Sequence, residues 1–355
     1  MKVNSNVINF RKKIIDSGLD AVIVYKPENR RYLSGFTGTA GYVLLTRDRN
    51  IFITDFRYVN QASEQCKDFE IIKHTNERTL YDILNEFEVK TLGFEEEFVT
   101  FSQYEEFNEK LNNVELVPLK GVINKLRTIK TEDEIENIRK AANIADMAFE
   151  HICSLLKPGV TEWEISLELE SFMKKQGASG TSFESIVASG KRSSLPHGVA
   201  SQKVIENGDF VTLDFGCIYN GYCSDMTRTV VIGKATSKQK EIYEIVLNAQ
   251  EAALESIRAG ITGFEVDKIA RDIITDKGYG EYFGHGLGHG VGLEVHEAPR
   301  LSPLGKDTLE ENMVVTDEPG IYIPDFGGVR IEDLVVVKKD GYEILTKSPK
   351  HLIEL

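Results

Sequence analysis

The sequence predicts a two-domain mixed α/β protein. An α/β domain with one mixed sheet spans residues 1–122, and a pseudo-symmetric α+β domain spans residues 123–355. Three observations predict it. Strand and helix patterns alternate through the first domain, as in a sheet covered by helices. A helix-opening signal, Thr131-Glu-Asp-Glu134, follows a connector between Lys120 and Lys130. Beyond it, the chain repeats itself at a spacing of 101 residues.

In the first domain, runs rich in β-branched and aromatic residues predict strands at Ala21–Tyr25, Tyr42–Thr46, Ile51–Thr54, Glu70–Lys73, Thr91–Phe94 and Glu115–Val117. Helices are expected over Val7–Ser17, Arg57–Cys66, Leu80–Phe87 and Ser102–Leu111. Gly35, Gly38 and Gly41 break the pattern into a loop between Tyr32 and Tyr42. The helix opened by Thr131 carries Ile135, Ile138, Ala142, Ile144 and Ala145 at roughly helical spacing.

The repeat pairs Leu156-Lys-Pro-Gly-Val-Thr-Glu-Trp-Glu-Ile165 with Ile257-Arg-Ala-Gly-Ile-Thr-Gly-Phe-Glu-Val266. Each copy lies between two helical stretches, ends at Gln176-Gly177 or Lys277-Gly278, and runs on into strand-rich sequence. Two similar halves predict a cleft between them.

Composition narrows the function. The 355 residues carry a net charge of −14, which argues against a general nucleic-acid binder or an anionic membrane surface. No apolar run approaches the ~18 residues of a membrane span, and the polar start lacks a signal-peptide core. Cys66, Cys153, Cys217 and Cys223 form no Cys-x-x-Cys pair. Together these predict a cytoplasmic protein.

Two acidic hairpins carry the chemistry. Asn220-Gly221 is a two-residue turn between Val211–Gly216 and a strand running from Tyr222 to Ile232. That turn places residue 214 opposite 227 and residue 216 opposite 225, making Asp214 and Asp225 diagonal neighbours on one face. Cys217 and Cys223 then fall on opposite faces and do not pair. In the second half, Glu318 and Glu332 flank a Gly-rich turn. Their spacing of 14 residues lets them share a face only if the loop is odd or bulged. A lone acid on a strand is usually a solvated one. Four acids in one cleft repel strongly and raise some of their pKa values, and two divalent cations would cancel that charge.

Gly284-His-Gly-Leu-Gly-His-Gly-Val-Gly292 has glycine at every second position, which lets a backbone or ligand approach one side of an extended chain. His285, His289 and His296 lie in or just after it, and His197 follows Leu195-Pro196. A lone histidine is more often a core or surface residue, but grouped with glycines and acids these read as ligand or proton-transfer groups. Rival motifs fail. Position 286 is Gly where a zincin helix needs Glu, and Gly190-Lys191 lacks the Ser/Thr of a P-loop. No Gly-x-Ser-x-Gly elbow surrounds Ser193 or Ser194.

These residues resemble the metallopeptidase family with the pita-bread fold, in its proline-specific branch of prolidases and aminopeptidases P. The resemblance covers essentially the whole chain, including a creatinase-like first domain. It implies five metal ligands: Asp214 in Leu-Asp-Phe-Gly, Asp225 in Ser-Asp-Met-Thr-Arg, His289 in Gly-His-Gly, Glu318 in Glu-Pro-Gly and Glu332 in Arg-Ile-Glu-Asp. Asp317 departs from the pattern, since an apolar residue is expected before Glu-Pro-Gly. Mostly carboxylate ligation with one imidazole suits manganese, then cobalt, with zinc less favoured.

The resemblance further implies hydrolysis of the Xaa-Pro bond in short proline-containing peptides by a hydroxide shared between two metal ions, with a dipeptidase preferred over an aminopeptidase P. A non-catalytic proline-peptide binding module and a metal-free creatinase-like hydrolase are the readings of another class. Asp214 and Asp225 would bind one metal, Asp225 and Glu332 would bridge, and His289 and Glu318 would complete the second site. Glu318 would act as general base, with His197 and His296 steadying the intermediate or leaving nitrogen. His285 and Tyr322 would line the substrate site, Arg330 would orient the acids beside it, and Arg300 would hold a free C-terminal carboxylate. A homodimer is implied, with Phe36–Gly41 or Asp55–Tyr58 near a partner's site.

Overall fold

A computed structural model describes residues 5–355. The chain divides after Arg127 into two compact units.

The first unit holds helices α1 (Ser5–Asp16), α2 (Pro27–Ser34), α3 (Val59–Gln65), α4 (Leu80–Asn85), α5 (Phe101–Lys110) and α6 (Val122–Thr128). Its strands are β1 (Ala21–Val24), β2 (Tyr42–Thr46), β3 (Asn50–Thr54), β4 (Glu70–Lys73), β5 (Thr91–Phe94) and β6 (Glu115–Pro118). They form one sheet in the order β4-β3-β2-β1-β5-β6. β2 pairs antiparallel with both β1 and β3, and the other pairings are parallel, so the sheet is mixed as expected. Ile23, Leu44, Ile53, Leu92 and Phe107 are among the residues of its core.

Two helices escape the sequence pattern. α2 buries Asn29 and Arg30 beside Tyr32 and Leu33, so it shows no apolar stripe. Pro27 opens it and Gly35, at φ +75°, closes it. The Lys120–Lys130 segment is not an open connector, because α6 occupies most of it.

The second unit has four long helices: α7 (Glu132–Cys153), α8 (Glu162–Lys175), α9 (Ser237–Ser256) and α10 (Gly263–Asp276). Thr131 caps α7 through the expected reciprocal box with Glu134. The repeat is visible atom by atom. Thr161 and Thr262 cap α8 and α10 through matching boxes with Glu164 and Glu265. Gly159 and Gly260 precede them at φ +97° and +94°, a left-handed conformation that disfavours other residues. Each pair of helices covers its own half. α7 and α8 pack Phe149, Ile165 and Leu169 against Val187, Leu213 and Phe215. α9 and α10 pack Val246, Val266 and Ala270 against Leu287, Val315 and Val335.

The strands of this unit are β7 (Gly180–Thr181), β8 (Ile186–Ser189), β9 (Phe210–Phe215), β10 (Cys217–Tyr219), β11 (Tyr222–Cys223), β12 (Met226–Val231), β13 (Gly288–Gly290), β14 (Glu297–Leu301), β15 (Val314–Asp317), β16 (Gly320–Ile323), β17 (Gly327–Arg330), β18 (Asp333–Lys338) and β19 (Gly341–Ile344). They form sheets in the orders β11-β10-β7, β12-β9-β8, β14-β13-β15-β18-β19 and β16-β17. Each acidic hairpin is thus shared between two sheets. The first keeps one register throughout, from Tyr219 opposite Tyr222 to Asp214 opposite Thr227, as the two-residue turn predicts. Asn220 and Gly221 both have positive φ, as that turn demands. The hairpin bends at Gly216, where a Cβ would meet the Ser224 carbonyl oxygen at 1.8 Å.

The second hairpin is likewise continuous, from Asp317 opposite Asp333 to Ile323 opposite Gly327. Its loop, residues 324–326, is odd, so Glu318 and Glu332 fall opposite one another at the break between the two sheets.

The alternating glycines do what their spacing suggests. A Cβ on Gly288 would stand 2.1 Å from the Thr316 carbonyl oxygen, and one on Gly290 would stand 2.2 Å from that of Ala298. Neighbouring backbones thus close on β13 from both sides. Gly288→Ala should therefore destabilise the fold by about 1–3 kcal/mol, since backbone and not a mobile side chain must yield. A urea unfolding curve measures it, and an unchanged midpoint would contradict the close approach.

Candidate metal centre

Five side chains converge at the bends of the two hairpins and the middle of β13. Asp214 stands near the end of β9, Asp225 in the bend between β11 and β12, and His289 at the centre of β13. Glu318 and Glu332 occupy the break between β15 and β16 and between β17 and β18. Asp225, His289 and Glu332 each offer a ligand atom, all within 4.8 Å of one another. His289 Nε2 lies 3.3 Å from Glu318 Oε1 and 3.6 Å from Asp225 Oδ2. With Nδ1 donating to the Gly290 carbonyl at 3.1 Å, Nε2 is the nitrogen left for a metal.

Asp214 and Glu332 are each half engaged. Arg330 Nη2 donates to Asp214 Oδ2 at 2.6 Å, and Thr227 Oγ1 donates to Glu332 Oε2 at 2.6 Å. Among the described residues, Asp214 Oδ1 and Glu332 Oε1 are buried without a hydrogen-bond partner. Buried carboxylate oxygens with nothing to accept from are costly, and divalent cations would satisfy both. The donor set therefore fits metal ions.

Electrostatics agree. Burial first, and the Asp214 charge second, push the Asp225 carboxyl well above its usual range. Burial with the charges of Asp225, Glu318 and Asp214 does the same to Glu332. Burial raises Asp214, with Arg330 partly offsetting it. Glu318 goes the other way. Burial acts to raise it, but the hydrogen bond and charge of His289 outweigh burial and hold it below the usual value. Burial likewise disfavours the His289 cation, yet Glu318 and Asp225 lift it to about 9. The His289 imidazolium and the Arg330 guanidinium partly balance the four acids.

Around this cluster runs a chain of hydrogen bonds. Arg330 Nη1 donates to the Tyr322 hydroxyl at 2.7 Å, and that hydroxyl meets His285 Nε2 at 2.8 Å. His285 Nδ1 reaches the Gly286 carbonyl at 2.7 Å, so Nε2 accepts from Tyr322. Burial lowers the His285 pKa and keeps the ring neutral. Arg330 is itself buried, with its donors engaged on Asp214, Thr227, Tyr322 and the Pro196 carbonyl. That last contact, at 3.3 Å, anchors the turn bearing exposed His197. His296 is exposed, its ring centroid 4.4 Å from that of His289. Arg300 is also exposed and sits opposite His289 in the β13–β14 pairing.

Sequence reasoning passed over Thr227 and Thr316. Thr316 Oγ1 accepts from His289 N at 3.0 Å and donates to Glu318 Oε1 at 3.2 Å. The available signal for Thr227 was its place two residues beyond Asp225 on the same face. Asp317 turns away from the cluster, because its neighbour Glu318 faces it. Burial and Asp333 push the Asp317 carboxyl well above its usual range.

Known proteins resemble this chain along nearly its whole length. The pattern of Metallopeptidase family M24 matches residues 136–339, and that of the Creatinase/Prolidase N-terminal domain matches residues 7–129. The Xaa-Pro dipeptidase of Pyrococcus furiosus is 45% identical over 340 residues, covering 95% of this chain and 96% of its own. A solved Xaa-Pro dipeptidase from Bacillus anthracis superposes with a TM-score of 0.97 at 52% identity, covering all of both chains. An X-Pro aminopeptidase from Thermotoga maritima superposes with a TM-score of 0.91 at 41% identity, covering 98% of this chain and 99% of its own. The two-domain architecture is theirs, with a pita-bread catalytic unit, and the family works with divalent metal ions. The chain belongs to metallopeptidase family M24 and is a metal-dependent peptidase with a creatinase/prolidase domain ahead of its catalytic unit.

Proposed function

We propose that this enzyme hydrolyses the Xaa-Pro bond of short peptides, as an Xaa-Pro dipeptidase. The observation that carries the reading is the convergence of Asp214, Asp225, His289, Glu318 and Glu332, where among the described residues Asp214 Oδ1 and Glu332 Oε1 are buried without a hydrogen-bond partner. The relatives named above, aligned over nearly the full chain, support the proline preference. Asp214, Asp225, His289, Glu318 and Glu332 would hold the divalent ions, with Asp225 and Glu332 placed to serve both. The carboxylate-rich set suits Mn²⁺, then Co²⁺, with Zn²⁺ less favoured. When bound, the metals polarise the scissile carbonyl and lower the pKa of the attacking water.

The chain's own groups do the rest. Glu318 takes the proton of the attacking water and passes it toward the leaving imino nitrogen. His197 and His296, both exposed beside the cluster, donate to the oxygen that gains charge, a contribution of ~3–4 kcal/mol per well-placed donor. Arg330 fixes Asp214, and through Tyr322 it fixes His285 against the proline ring. Arg300 receives the C-terminal carboxylate of a dipeptide.

The X-Pro aminopeptidase among the structural neighbours makes the longer-peptide activity the second reading. Assay of the Mn²⁺-loaded enzyme on Ala-Pro and Ala-Pro-Ala separates them. The dipeptide should be cleaved with the higher kcat/KM, and the reverse order assigns an aminopeptidase P. Chelation should remove both activities, whereas full activity after chelation would overturn the metal reading.

Four unpaired cysteines suit the reducing cytoplasm. Burial pushes the thiols of Cys66 and Cys153 to about 11 and those of Cys217 and Cys223 to about 12, so they stay protonated. No described helix is long and apolar enough to cross a membrane. A homodimer is part of the proposal, with Phe56, 79% exposed, as a contact; light scattering on the purified protein tests it.

A further inference from the structure

Behind Glu318 and Glu332, on the opposite face of the same strands, lies a second carboxylate pair. The β15–β18 pairing sets Asp317 directly opposite Asp333. Both are fully buried. Two buried carboxyl groups opposed on neighbouring strands need donors between them, or the hairpin spreads to reach water. Asp333 is well compensated, with Arg228 Nη2 and Lys350 Nζ each 2.8 Å away. Asp317 has neither cation in hydrogen-bond contact, and among the described residues its Oδ1 has no hydrogen-bond partner. What joins the two carboxyl groups is one side chain, Gln250 from the middle of α9. A single nitrogen, Gln250 Nε2, lies 3.2 Å from Asp317 Oδ2 and 3.1 Å from Asp333 Oδ2. Lys350 Nζ donates to Gln250 Oε1 at 2.9 Å and so holds the amide in the orientation that turns its nitrogen to both acids.

We propose that Gln250 is a positioning residue for the metal centre: by bridging Asp317 to Asp333 it fixes the strand spacing at the adjacent rung, where Glu318 and Glu332 must stand at metal-binding separation. The inference rests on the reading of Glu318 and Glu332 as ligands. Consecutive residues are only ~3.3 Å apart along a strand, so spreading at one rung is passed to the next. Metal–oxygen distances tolerate ~0.2 Å, so even slight spreading weakens binding. A Gln250 that merely filled the core would change stability and leave metal affinity alone.

Calorimetric titration of the metal-free full chain with Mn²⁺ tests this. Gln250→Leu should weaken binding by about 10- to 100-fold, the range for groups that orient ligands. Adding Asp317→Val removes the buried carboxyl that Gln250 serves. The double variant should then recover affinity to within about threefold of the original chain, a coupling that independent structural losses would not show. Unchanged affinity in Gln250→Leu, or a double variant as weak as the single one, overturns the proposal. Gln250→Asn, too short to bridge, gives the same reading if the leucine variant does not fold. Asp225→Asn is titrated alongside. Loss of binding there with none in Gln250→Leu refutes the bridge alone, whereas binding retained in Asp225→Asn refutes the ligand reading itself.

Discussion

Asp225→Asn should abolish Xaa-Pro hydrolysis while raising the stability of the metal-free protein. The substitution keeps size and shape and removes one charge at the point the two metal ions are proposed to share. Losing that ligand forfeits several kcal/mol of transition-state stabilisation, or about 10³-fold or more in kcat/KM. The stability sign follows from the raised pKa of Asp225. A carboxyl whose folded pKa lies above its unfolded value near ~3.9 loses folding stability as pH rises between the two. At neutral pH the carboxyl, favoured more as an acid in the fold than in the unfolded chain, is a net cost to the metal-free fold, and asparagine lifts it. The thermal midpoint should rise by about 2–4 °C for each kcal/mol relieved. Stabilisation by added Mn²⁺ should vanish at the same time. Turnover at the original rate would refute the assignment of Asp225.

Arg228→Met should be the most damaging single change outside the metal centre. Arg228 is 1% exposed and pairs with Asp333 at 2.8 Å. It also donates to the carbonyls of Thr227, Glu332 and Ser348, and so ties the first hairpin to the second and to the C-terminal segment. Removing it strands part of the Asp333 charge and leaves buried carbonyls without donors, at a cost of about 3–5 kcal/mol. Lys350 stays beside Asp333 and limits the loss. Urea unfolding reads the effect directly, and a change below about 1 kcal/mol would mean water or a shifted lysine replaces the guanidinium.

Much of the catalytic unit was legible in the sequence because its signals are local. Asn220-Gly221 admits one turn type, and that turn fixes the register that sets Asp214 opposite Thr227. The Thr-x-x-Glu boxes and left-handed glycines of the two repeats declare the same helix start twice. Glycine at alternate positions of 284–292 announced close backbone approach, and β13 receives it from both sides. The five proposed ligands were named by residue type and order, and the fold brings them together. α2 and α6 were missed for the complementary reason. Their burial is polar or short, so no apolar period marks them.

Asp317 shows where the sequence ran out. Strand alternation requires it to face opposite to Glu318, but which face holds the acids depends on the length of a loop the sequence left open. The three-residue loop at 324–326 sets Glu318 opposite Glu332 and sends Asp317 behind them. There its partner is Gln250, 67 residues earlier on α9, while Asp333 beside it is paired with Arg228 and Lys350 from two further segments. By itself the sequence determined the register of the hairpin bearing Asp214 and Asp225, because turn and cap chemistry act over a few residues, while its family resemblance named the five proposed ligands. Only the tertiary structure decided which carboxylate oxygens stay unpartnered and what braces them from behind. Those contacts join segments far apart in the chain, and packing alone brings them together.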